Sequence, residues 1–147
     1  MDHFKMEEVQ NSSDFESARE IRKTVFVLEQ GIPAELEYDE DDARALHILC
    51  RQADTSRAVA TGRLIINENQ CGTLSRIAVL KAYRGKGIGK EVVVTLEQKA
   101  RERGVLYLSL QPHYYLEGFY GNLGYKKIPG RESGVAGHPL ITMEKYL

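Results

Sequence analysis

The stretch from Arg76 to Arg103, RIAVLKAYRGKGIGKEVVVTLEQKARER, restricts the fold more than any other part of the chain. An apolar run (Ile77, Ala78, Val79, Leu80) gives way to a turn with glycines at 85, 87 and 89. Apolar residues then recur at Ile88, Val92, Val93, Leu96 and Ala100, the spacing of one helical face, and Gly104 supplies the stop. The order is strand, glycine-rich turn, helix. The first turn of such a helix carries unpaired N–H groups and the positive end of the helix dipole, which together attract an anion. Glycines let those amides approach the anion with no Cβ in the way. Arg84, Lys86 and Lys90 add positive charge around the same turn. The expected ligand carries phosphates.

Spacing decides which phosphate ligand. A P-loop requires Gly, four residues, then Gly-Lys and Ser or Thr, but here Gly89-Lys90 is followed by Glu91. The dinucleotide fingerprint requires G-x-G-x-x-G and an acid roughly twenty residues on. Position 90 is Lys, and the next strand ends in Leu110 and Gln111, with no acid. What fits is Arg84-x-x-Gly87-x-Gly89. It resembles the Q/R-x-x-G-x-G/A signature of the GNAT acetyltransferase superfamily, whose turn cradles the pyrophosphate of acetyl-CoA.

The 147 residues read as a single domain, 1–147, long enough for a real core. A net charge of −1 argues against a nucleic-acid binder working through a basic surface. No apolar run approaches bilayer length, and MDHFKMEEVQ lacks the apolar core of a signal peptide. Cys50 and Cys71 fall in different predicted strands without metal-type spacing. Reduced thiols, a cytoplasmic location, no membrane partner and no metal are expected.

Alternation over 4–10 predicts a first strand, and Ser13-x-x-Glu16 reads as a capping box. Phe15, Ala18, Ile21 or Arg22, Val25 and Leu28 then define one face of a helix running to about Glu29 and stopped by Gly31 and Pro33. From Glu35 to Asp42 there are six acids in eight residues, too charged for a core. They form either a solvated loop or a field that attracts a cationic amine. Strands are predicted over 46–51, 58–66 and 72–80, with a hairpin turn at 67–70. After the long helix, 105–110 is an apolar strand parallel to the one before it. The segment 114–125 starts as a short helix and turns at Gly121 or Gly124. A mobile glycine-rich loop is expected over 129–137, then a last strand over 140–146. The fold class is α/β, a mixed sheet of six or seven strands flanked by about four helices.

The order of elements resembles the GNAT fold from end to end. Within that superfamily the chain is similar to a small bacterial single-domain branch. The shared features are Arg22-x-x-x-Phe26-Val27-x-Glu29-Gln30, Glu37-x-Asp39-x-x-Asp42 followed by His47, Arg76-Ile77-Ala78-Val79, the Arg84 turn, Phe119-Tyr120-x-x-x-Gly124-Tyr125 and His138. Gln111, before Pro112, stands where many relatives carry Asn. The resemblance implies an acetyl-CoA-dependent N-acetyltransferase acting on a primary amine of a small molecule or peptide, by direct attack in a ternary complex. It implies that the backbones of Ile77, Ala78 and Val79 hold the pantetheine arm and polarise the acetyl carbonyl. Arg84, Gly85, Lys86, Gly87, Ile88, Gly89 and Lys90 would take the pyrophosphate, with Gln111 nearby. Tyr120 would protonate the leaving sulfur, since a phenol is still protonated at neutral pH. The base is open among Glu29, Asp39, His47 and His138, with Glu29 and His138 foremost. Arg22, Phe26 and Glu29 would line the acceptor side. The alternative is a non-catalytic acyl-CoA-binding sensor. An exposed final strand could pair across a homodimer.

Overall fold

The computed structural model describes residues 3–147. In chain order its strands are β1 (Phe4–Glu8), β2 (Leu46–Gln52), β3 (Ala58–Ile66), β4 (Cys71–Val79), β5 (Tyr107–Leu110), β6 (Lys126–Lys127), β7 (Ser133–Val135), β8 (His138–Leu140) and β9 (Met143–Tyr146). The helices are α1 (Ser12–Arg22), α2 (Ala34–Glu37), α3 (Ile88–Glu102) and α4 (Glu117–Gly121). Seven strands form one sheet in the order β1-β2-β3-β4-β5-β9-β6. Only β4 and β5 run parallel, because α3 carries the chain back between them. No helix among the described residues is long and apolar enough to cross a membrane.

The core lies on both faces of the sheet. On one face the α3 stripe of Ile88, Val92, Val93, Leu96 and Ala100 packs against Ile48, Cys50, Leu64 and Leu108. On the other, Ala18, Ile21 and Val25 cover Leu49 and Ala78. Alternation along β2 and β4 explains why Leu49 and Ala78 face away from their neighbours. Gly62 sets how closely α3 approaches: a Cβ there would stand 2.7 Å from Val92 Cγ1 and 2.8 Å from Leu96 Cδ1. The far end of α3 is tied to β9, where Glu97 accepts from the Tyr125 hydroxyl at 2.6 Å and from Lys145 Nζ at 3.0 Å.

Several local expectations shift. The cap of α1 is Asn11, whose Oδ1 accepts from Asp14 N at 2.8 Å, so Ser13 lies inside the helix and the predicted capping box does not form. After Arg22 the helix widens into a π-helical segment, Lys23–Glu29, which rotates the apolar stripe and leaves Leu28 69% exposed. The glycine-rich tract expected as a mobile loop builds the β7–β8 hairpin, turning at Ala136 and Gly137, both with positive φ.

β4 pairs with β5 only from Cys71–Tyr107 to Thr73–Ser109. Beyond that point β4 continues to Val79 while β5 turns off at Gln111. The two strands diverge, and no described strand covers that edge of β4. A bulge against β3 sits at the same place, with Arg76 at φ 55°.

Candidate active site

The β4–α3 turn has the conformation its glycines permit. Gly85 and Gly87 adopt φ of 79° and 81°, where a side chain would be strained, and Gly87 caps α3. No side chain caps this helix, so its first amides face outward without a side-chain acceptor. Nothing lies within 4 Å of where a Cβ would stand at either glycine. The turn is open on its outer side. The Arg84 guanidinium is folded back, donating from Nε to Val79 O at 2.9 Å and gripping Glu29 through two bonds of 2.6 and 2.8 Å.

Where β4 and β5 part, a cavity of about 370 Å³ opens. It brings together Phe26, Ile77, Gln111 and Tyr120 from the expected set. Tyr120 is 5% exposed, held edge-on between Phe119 and Tyr125. Tyr120 lines the cavity, and its hydroxyl makes no hydrogen bond among the described residues. Burial raises its pKa, so it stays a proton carrier at neutral pH. Phe119 reaches the first turn of α3, 3.6 Å from a Cβ position on Gly89, and so ties the Tyr120 segment to the phosphate turn.

The acid-rich segment is solvated at Glu35 and Glu40, as a loop would be, but turns Glu37, Asp39 and Asp42 inward. Glu37 and Asp42 are buried, and with Asp39 they alternate with three arginines in a closed ring. Arg22 donates to Glu37 and, at 2.7 Å, to Asp42. Asp42 accepts from Arg63 at 3.0 Å, and Arg63 donates to Asp39 at 2.7 Å. Asp39 accepts from Arg76 at 3.2 Å, and Arg76 returns to Glu37 at 3.6 Å. Burial pushes the Asp42 carboxyl up, but Arg22 and then Arg63 outweigh it and hold it at about 2. Arg22 also donates to the Glu37 carbonyl, so four bonds commit its guanidinium to this ring. The expectation that Arg22 meets the acceptor is corrected: it is buried structural charge, whereas Arg63 and Arg76 line the cavity.

Neither foremost candidate base lines the cavity. Glu29 is paired with Arg84, whose hydrogen bonds lower its carboxyl pKa. His138 Nε2 donates to the Gln30 carbonyl at 2.7 Å. His47 is buried against Phe15 with Nε2 on the Asp42 carbonyl, and desolvation lowers its pKa. The histidine that lines the cavity is His113, which sequence reading missed. It follows Gln111-Pro112 at the point where β5 ends, and that break was the only signal for it.

The comparisons with known proteins agree with this geometry. The family model for the acetyltransferase (GNAT) domain matches residues 6–147. A Bacillus subtilis (strain 168) protein whose name calls it an acetyltransferase is 35% identical over 143 residues, covering 95% of each chain. The uncharacterized N-acetyltransferase YjcF of the same organism is 33% identical, covering 92% of this chain and 94% of its own. Among solved structures, an N-acetyltransferase structure from Lactobacillus plantarum superposes with a TM-score of 0.89 at 26% identity, covering 98% of both chains. Escherichia coli ElaA superposes at 0.83 with 22% identity, over 99% of both chains, a likeness of fold. The co-substrate of the GNAT family is acetyl-CoA. The chain belongs to the GNAT acetyltransferase family.

Proposed function

We propose that the protein transfers the acetyl group of acetyl-CoA to the primary amine of a small molecule or of a peptide terminus that fits the cavity, by direct attack while both substrates are bound. The observation that carries this reading is the divergence of β4 from β5 onto a cavity of about 370 Å³ that Tyr120 lines. The edge of β4 that β5 leaves uncovered at Ile77–Val79 would offer backbone groups to an extended arm, as a missing strand would, with Val79 O already accepting from Arg84. An N–H there would polarise the acyl carbonyl. Residues 84–90 would hold the diphosphate, once Arg84 yields its grip on Glu29 or keeps it as a brace.

The lining also supports one class of acceptor over others. Phe26, Ile65, Leu110 and Leu140 make much of the wall apolar. Its two acids, Glu37 and Asp41, are already paired with Arg22 and Arg44. No unpaired carboxylate among the described wall residues awaits a polycation. An amine with a compact apolar body fits best, and it must lose a proton to attack, since an alkylammonium titrates near 10. Holding both reactants in place supplies several kcal/mol of the barrier reduction.

The test is thiol release from acetyl-CoA over a panel of primary amines, beside calorimetric titration with acetyl-CoA. Amine-dependent, saturable thiol release is expected. Saturable binding with no turnover on any amine would make the chain an acyl-CoA-binding module instead.

A further inference from the structure

We infer that His113 is the group that takes the proton from the acceptor amine, with Gln30 holding its imidazole in the required tautomer. The inference rests on the acyltransferase reading above. Three observations carry it. His113 lines the same cavity as Tyr120, and no other histidine does. His113 Nε2 lies 2.9 Å from Gln30 Oε1, an atom that only accepts, so Nε2 carries the hydrogen and Nδ1 keeps its lone pair. The ring is also fixed in place, stacked on Tyr115 with planes 5° apart and set edge-on to His138 at 5.2 Å.

Gln30 serves both rings. Its side-chain oxygen meets His113 and its backbone carbonyl accepts from His138 Nε2 at 2.7 Å. A base whose far nitrogen is anchored by an orienting acceptor is the arrangement general-base chemistry requires. His138 and Tyr115 are the titratable groups against the ring, and Gln30 is neutral. Tyr120, Glu37, Asp41, Arg63 and Arg76 face the same cavity from α4, the acid-rich segment, β3 and β4. Burial, and then His138, lowers the His113 pKa from its ordinary 6.5, so the free base prevails at neutral pH.

The step balances. His113 Nδ1 accepts one proton from R–NH3+, giving R–NH2 and an imidazolium. The nitrogen lone pair forms the C–N bond to the acyl carbon, and the C–S bond breaks with its electron pair passing to sulfur. Sulfur takes the Tyr120 proton, and the second nitrogen proton restores the phenol. The products are the amide, the free thiol and one proton that His113 releases to solvent.

The test compares two acceptors with the whole protein: phenethylamine, which is an ammonium ion at neutral pH, and aniline, which is already unprotonated. For His113→Gln, kcat with phenethylamine should fall about 10²-fold or more. With aniline it should fall less than about 5-fold, a residue of general positioning effects. Acetyl-CoA affinity by calorimetry should stay within about 2-fold, which also reports folding. Wild-type kcat/KM for phenethylamine should fall as pH drops below 6.5, and that limb should vanish in His113→Gln. Gln30→Ala, the second variant, should lower kcat at nearly constant KM and move the same limb. Equal losses on both amines, or an acid limb that survives in His113→Gln, would overturn His113 as the base and leave the acyltransferase reading standing. A wild-type protein that releases no thiol with these two or with any other amine of the panel would overturn both.

Discussion

At the scale of single residues the site depends on groups whose protonation the fold has set. Tyr120 is kept neutral by burial and lines the cavity. Tyr120→Phe removes one oxygen from a packed ring, so turnover should drop about 10²-fold while acetyl-CoA affinity changes little. Single-turnover rates beside calorimetric titration check this, and unchanged turnover would remove the hydroxyl from the reaction. Asp42 makes a prediction about acid stability. Its carboxyl sits at about 2 in the fold, against 3.8 when free. A lowered carboxylate pKa adds stability that is complete above the free value and lost as pH falls through the folded one. Urea midpoints should therefore drop between about pH 4 and 2. Asp42→Asn should show a shallower decline over that window. Parallel declines would assign the titration to another group.

At the scale of elements, the separation of α3 from β3 is set by Gly62. Gly62→Ala would drive a methyl into the side-chain ends of Val92 and Leu96, both fully buried in the packed core. A loss of about 1–3 kcal/mol is expected by urea unfolding. If residues 84–90 hold the diphosphate as proposed, acetyl-CoA affinity should fall with it, because that turn leads into the N-terminus of α3. Strand, turn and helix across 76–103 were legible because their evidence is local: an apolar run, glycines where φ is positive, and a clean helical period. The π-helical widening after Arg22 was not, since it depends on what the helix packs against. The acid-rich segment was misread for a related reason. Its partners Arg63 and Arg76 come from strands 21 to 39 positions away, so composition registered the acids without their counter-charges. His113 escaped notice because its meaning lies in Gln30, 83 positions earlier.

At the scale of the whole molecule, the Arg–acid ring joins α1, the acid-rich segment, β3 and β4 into one frame beside the cavity. Removing one member leaves a buried charge without its partner. Asp42→Asn should destabilise by about 3–5 kcal/mol at neutral pH, read from urea unfolding. In a double-mutant cycle on Arg63→Met and Asp39→Asn, the paired change should be milder than the sum of the singles by about 0.5–3 kcal/mol. Simple additivity would mean that the two side chains act independently. The ring has equal numbers of cations and anions and no loose end, and this bears on how such a protein can diversify. Its charged frame resists drift at one position at a time and should be inherited, or exchanged, in matched pairs. New acceptor preferences then have an easier route through the neutral wall, at Phe26, Ile65, Leu110 and Leu140, where a side chain can change shape without orphaning a charge.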